Sequence, residues 1–271
     1  MVLLKNENDL LPLNKNKVNK VLVTGPLATE TNFMISRYGP NGLDCVSMLD
    51  AMKNYLGSDK VVYEKGCDIV DKNWPESEII PEPLSAQEQM DIASAVNAAK
   101  NVDVIICYLG EGDKQTGEGR SRTSLELPGR QRDLLMALHK TGKPIVLVLV
   151  NGQPLTINWE NKYVPAILET WFPSYRGGAV VAKMLFGEIN PSGKLPMTWP
   201  LSYNDHASSQ NFPRAEKFQL DLSTFMGTEA EKKDPVATYD WTNYEEGIYV
   251  GYRWFDKQNK GVSYPFGYGL S

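Results

Sequence analysis

The sequence has 271 residues, 42% of them hydrophobic and 23% charged, with a net charge of −5. That is the balance of a soluble globular chain with core enough for one large or two small domains, and without a basic run it excludes nucleic acid and an anionic membrane as partners. Three scattered cysteines (Cys45, Cys67, Cys107) and two histidines (His139, His206) supply neither a metal pattern, a disulfide framework nor a Ser-His-Asp triad.

No signal peptide or membrane-spanning run is evident, and Met1–Lys5 is apolar from its first residue, as if cut inside a longer element, so localisation is not read from this N-terminus. Residues 1–17 read as an apolar patch and then a loop through Leu11-Pro12-Leu13. Val18 to Gly25 predicts a buried strand closed by Gly25-Pro26. A glycine at a strand end can cradle phosphate, but neither G-x-G-x-x-G nor a P-loop follows, which leaves a flavodoxin-like nucleotide binder without its motif. Residues 29–42 are loop-like, and Cys45 to Leu56 has helical spacing. Val61-Val62-Tyr63 predicts a second strand, and the Pro- and acid-rich residues 68–84 a surface loop.

Ser85 with Glu88 is a capping box for a helix to about Lys100, whose Ala93, Ala95, Ala98 and Ala99 suit close packing on a sheet. Val102 to Leu109 predicts a third strand. It delivers a polar loop, Gly110 to Gly129, carrying Glu111, Asp113, Glu118 and Glu126. A loop leaving the carboxyl end of a parallel strand is where open α/β sheets hold ligands. Glu118 stands between Gly117 and Gly119, so nothing bulky shields its carboxylate. Pro128 is expected in the first turn of the next helix, Arg130 to Lys140, which His139 ends as a dipole-favoured cation.

Pro144 to Val150 is an unbroken apolar run suited to a central parallel strand, and Ala166 to Trp171 is a fifth strand. Trp171 falls on the same predicted edge as the Glu118 loop, with sugar wall and core packing both open. Asn151, Gln153 and Asn190 read as turn and cap residues. Arg176-Gly177-Gly178 opens a helix through Phe186. Residues 201–243 form a long irregular stretch, Tyr249, Tyr252, Trp254 and Phe255 read as core, and Tyr264 to Gly269 as a last strand and turn. Strands alternating with helices predict an α/β, doubly wound, mostly parallel sheet with helices on both faces.

Several blocks together resemble glycoside hydrolase family 3. These are Val2-Leu3-Leu4-Lys5-Asn6-Glu7 with Leu11-Pro12-Leu13; Gly117-Glu118-Gly119 with Arg122; and Leu125-Glu126-Leu127-Pro128-Gly129-Arg130-Gln131. Val148 to Pro154, Ile167 to Trp171, Gly187 to Pro196, Tyr244 to Arg253 and Phe266 to Ser271 continue the series. The resemblance covers essentially the whole chain and is to the family's second domain, a three-layer α/β/α sandwich with a six-stranded sheet; it implies one such domain over 1–271.

The resemblance further implies an exo-acting, retaining β-glycosidase of β-glucosidase or β-xylosidase type, with no cofactor and no metal. The substrate would be a β-glucoside or β-linked oligosaccharide. A (β/α)8 barrel supplies the nucleophilic Asp in such enzymes, and no barrel is present here, so the chain is expected to be a fragment, inactive alone. By motif match Glu118 is the acid/base, with Glu111 as rival; Arg120, Arg122 and Trp171 are candidate substrate contacts, the two arginines reading first as loop-holding ion pairs. Arg120-Ser121 departs from the aromatic and acid that many β-glucosidases carry there, leaving the +1 sugar preference open. A general acid needs a raised pKa, whereas Arg120 and Arg122 would lower that of Glu118 until a docked barrel desolvates it. A non-catalytic sugar-binding or barrel-docking module is the alternative. Bacterial relatives of this type are often exported.

Overall fold

The computed structural model describes residues 1–32, 43–70, 82–117, 122, 124–211 and 244–271. Glu118 and Arg120, and much of the stretches expected as loops at 29–42, 68–84 and 201–243, lie outside them. Two compact units are distinguished, Met1–Tyr203 with Gly261–Ser271, and Asn204–Lys260.

The larger unit is built on a six-stranded sheet of β1 (Val2–Asn6), β2 (Val21–Thr24), β3 (Val61–Glu64), β4 (Val104–Gly110), β5 (Ile145–Val150) and β6 (Ala166–Glu169). Their order is β1-β6-β5-β4-β2-β3, all parallel except the β1–β6 pair. The central strands are apolar without interruption because both faces are covered, and their side chains alternate between two cores. Ile105, Cys107, Leu109, Leu147 and Leu149 meet α2 (Ala86–Ala99) and α3 (Gln131–His139) on one side. Ile106, Tyr108, Val146 and Val148 meet α1 (Met48–Leu56) and the Gly177–Leu185 helix on the other. The larger unit is thus the expected α/β/α sandwich.

Capping explains where the helices start. Ser47 accepts the Asp50 N–H ahead of α1, and Ser85 and Glu88 form both halves of the capping box ahead of α2. Ala95 and Ala99 are buried against the sheet as expected, but Ala93 faces solvent.

Four sequence expectations need correction. Residues 1–17 are not only patch and loop: Val2 and Leu4 are buried in β1, which closes the sheet antiparallel to β6. The pairing partner lies far along the chain, so nothing local announces it. Pro128 precedes α3 and is not in its first turn. A short helix, α4 (Asn158–Tyr163), precedes β6, and the Gly177–Leu185 helix is therefore α5. The last strand, β8 (Val262–Tyr264), ends where Pro265 removes a donor, and pairs with β7 (Trp199–Pro200) in a separate two-stranded sheet.

The smaller unit contains α6 (Ser208–Asn211) and α7 (Tyr252–Lys257). Trp254 Nε1 donates to the Asp205 carbonyl at 2.9 Å, and Phe255 stacks edge-on to His206. The aromatic run here is not a core segment. Of Tyr249, Tyr252, Trp254 and Phe255 only Phe255 is buried, because interspersed Glu, Gly and Arg residues leave one apolar side to α7.

Candidate functional site

Three adjacent parallel strands, β4, β5 and β6, end side by side, with Gly110 opposite Val150 and Leu149 opposite Glu169. Beyond them the chain runs into Glu111, into Asn151-Gly152-Gln153, and into Thr170-Trp171-Phe172. This carboxyl edge gathers the polar residues of the sheet.

Gly110 sets the exit of β4. Its φ is +141°, and a Cβ there would lie 1.9 Å from the Val150 carbonyl oxygen. Gln131, buried at the start of α3, mimics a neighbouring strand: its Oε1 accepts the Gly110 N–H at 2.7 Å, and its Nε2 donates to the Gly110 carbonyl at 2.8 Å and to that of Pro128 at 3.0 Å. The Gln of the Leu-Pro-Gly-Arg-Gln block thereby ties the loop's return to its departure.

Glu111 follows, fully buried. Its Oε1 accepts from Arg122 Nη1 and from Gln153 Nε2 at 2.8 Å, and its Oε2 accepts the Gly152 N–H at 3.1 Å. Arg122 is equally buried and also donates through Nη2 to the Glu126 carbonyl at 2.6 Å. Charge pairing and four donor contacts offset the cost of taking both ions out of water. Glu111 and Arg122 stand 11 positions apart, so their pairing brings together the two ends of the sequence segment that contains Glu118.

The return arm is held separately. Arg132 of α3 reaches Glu126 at 3.1 Å and the buried Glu160 of α4 at 2.9 Å, and the Thr156 N–H donates to the Leu125 carbonyl. Ahead of α3, Arg130 pairs with Glu88 of the capping box and bonds the Glu82 and Pro83 carbonyls. Arg130 and Ser85 hold the Glu88 carboxyl below its usual range, although the partial burial of that group, the largest influence, pushes the other way.

At β6 the residue that sequence reasoning passed over is Glu169. It is fully buried, its Oε1 accepts the Trp171 N–H, and burial pushes its carboxyl well above the ordinary range. Its signal was legible as one acid inside the apolar run Ala166-Ile167-Leu168-Glu169. Trp171 is half-buried, lies edge-on to Trp199 with ring centres 6.2 Å apart, and has a φ of +57°. Among the candidate residues, Glu111, Arg122 and Trp171 are thus brought to one edge; Glu118 and Arg120 lie outside the described residues. Gln153 binds Glu111 through its side chain, whereas Asn151 bonds the Gln153 carbonyl in a turn. Among the described residues no group of His, Cys, Asp and Glu is arranged to hold a metal ion.

The family model for the glycosyl hydrolase family 3 C-terminal domain matches residues 1–252. The chain belongs to this family. It is 37% identical over 281 residues to a periplasmic beta-glucosidase of Salmonella typhimurium, a match covering the whole chain and 33% of that relative. It is 41% identical over 207 residues to a beta-xylosidase of Formosa agariphila, covering 74% of the chain and 27% of the relative. A crystal structure of a family 3 beta-glucosidase from Bifidobacterium adolescentis superposes with a TM-score of 0.74 at 31% identity, over 99% of this chain and 34% of that one. The chain spans about a third of the length of the curated relatives that match it throughout.

Proposed function

We propose that this chain is the acid/base-bearing domain of a retaining exo-β-glycosidase, a β-glucosidase, and that Glu118 is the acid/base. The observation that carries this reading is the buried Glu111–Arg122 pair, which pins both ends of the segment carrying Gly117-Glu118-Gly119 at the carboxyl edge of the sheet. A loop anchored so firmly at its base, with glycines at its functional residue, suits a carboxyl group delivered to a neighbouring active site. Glu111 itself is saturated by three donors inside the protein, which favours Glu118 over its rival.

In this reading Glu118 protonates the glycosidic oxygen as the sugar passes to a carboxylate nucleophile, then takes a proton from the water that releases it. Retention requires the two carboxyls about 5–5.5 Å apart. The nucleophile comes from a (β/α)8 barrel elsewhere in the parent chain, and the barrel's mouth is the partner of this edge. Arg122 holds the loop, while Arg120 and Trp171 meet the substrate. A β-xylosidase of the same fold is the second reading, favoured by the 41% identity to the Formosa enzyme. The name of the Salmonella relative supports an exported parent. No described helix is long and apolar enough to cross a membrane.

The test is direct. The purified chain alone is expected to show no turnover of an aryl β-glucoside, and turnover to appear when the barrel is supplied. Hydrolysis by the isolated chain would overturn the division of labour.

A further inference from the structure

Glu169 ends β6 with a buried carboxyl that the proposed chemistry does not use. Oε1 accepts the Trp171 N–H at 2.5 Å, but Oε2 is buried with no partner among the described residues. An ionised carboxylate only accepts; a protonated one turns that oxygen into a donor. Beside it at the end of β5 stands Asn151, whose side-chain amide favours the charged form of Glu169 without offsetting burial. A proton on Glu169 turns its buried, unpartnered Oε2 from a bare acceptor into a donor. The Glu111 carboxylate nearby also opposes a second negative charge.

The bond to Trp171 has a geometric consequence. Trp171 sits at φ +57°, a conformation that a bulky residue adopts only when its surroundings hold it there. The turn sends successive aromatics to opposite sides. Trp171 lies on the buried Trp199, with part of its surface open, while Phe172 packs against Gly152, where Thr116 also closes in. Gly152 in turn donates to Glu111. The turn therefore links an aromatic wall to the base of the loop.

We propose that Glu169 is a positioning residue whose carboxyl holds the Trp171 turn, presenting the indole at the sheet edge as a stacking wall for the aglycone side of a β-glycoside. The inference rests on the glycosidase reading above. The side chain acts as the neutral acid, so an amide of the same shape replaces it, keeping the acceptor for Trp171 and providing a donor.

The experiment compares Glu169→Leu and Glu169→Gln with wild type in the full-length enzyme, measuring kcat and KM on 4-nitrophenyl β-glucoside. The expected result for Glu169→Leu is a KM raised about tenfold with kcat within about threefold, and for Glu169→Gln a KM restored to within about twofold. A role confined to folding would lower kcat through lost active enzyme and leave KM alone; that result overturns the inference, as does a Gln variant no better than Leu. Should Glu169→Leu not fold, Trp171→Ala must itself raise KM about tenfold while Glu169→Gln keeps it within about twofold of wild type, and an unchanged KM in Trp171→Ala overturns the inference too. A full-length enzyme that turns over no β-glycoside sinks the glycosidase reading, and this inference with it; normal turnover with unmoved KM sinks this inference alone.

Discussion

Glu111 and Arg122 form an ion pair with both side chains buried, joining the two ends of the sequence segment that contains Glu118. The pair is more than a contact, because removing either member leaves the other charged in an apolar setting. Glu111→Gln or Arg122→Met should each cost about 3–5 kcal/mol in urea unfolding. The double variant Glu111→Gln/Arg122→Met should lose less than the sum of the single changes. Additive losses would mean the two side chains act independently.

Gly110 should tolerate no side chain. Gly110→Ala places a Cβ against the Val150 carbonyl, backbone that cannot move without opening the β4–β5 ladder, so a loss of about 3 kcal/mol or more is expected. Gly142 is the control: its φ is +72° but nothing lies within 4 Å of the added carbon. Gly142→Ala should cost only about 1–2 kcal/mol of backbone strain. Equal losses would mean that the φ, not the contact, sets the penalty at Gly110.

Gln131 holds the two ends of the loop region by its amide alone. Gln131→Leu keeps the volume but orphans the Gly110 N–H and carbonyl, at a cost of about 1–3 kcal/mol. Hydrogen exchange at the Gly110 amide should accelerate more than at Ile106 in the middle of the same strand. Uniform acceleration along β4 would instead indicate global loosening.

The stability contributed by Glu169 should fall as pH rises. Burial is the main cause of its raised pKa and the Glu111 carboxylate adds to it; the Trp171 N–H and the Asn151 amide pull the other way without reversing it. The folded chain keeps the proton that the unfolded chain releases near an ordinary carboxyl value, about pH 4. The contribution is therefore complete below about pH 4 and declines as the pH climbs towards the folded value. Glu169→Gln should match the wild-type Tm in acid and exceed it increasingly towards pH 8. Acidic groups with lowered values, such as Glu88 and Asp103, act alike in both proteins and cancel in the difference. A constant Tm offset across this range would mean Glu169 is ionised when folded.

The sheet was legible wherever a strand carried its own signal. Ile145–Val150 is apolar throughout because it is central, and Ser85 with Glu88 announced α2 from a local bond pattern. β1 was not legible, since its three apolar residues become a strand only by pairing with β6, across most of the chain. At the site, the Gly-rich loop and its place after β4 could be read directly, but the distribution of roles could not. Arg122 stands near Glu118 in sequence, yet its guanidinium binds Glu111. Gln131 resembles an ordinary helix-start residue until its amide is seen on Gly110. Such roles belong to contacts between distant segments, which spacing along the chain does not encode.

The central claim is that Glu118 is the acid/base, and one comparison tests it most directly. Glu118→Ala and wild type, in the full-length enzyme, would be assayed on β-glucosides with good and poor leaving groups, with and without azide. The account predicts severe loss on the poor leaving group, milder loss on the good one, and azide rescue of the activated substrate. Equal losses on both substrates, without rescue, would place the acid elsewhere and leave this domain as a cover for the barrel.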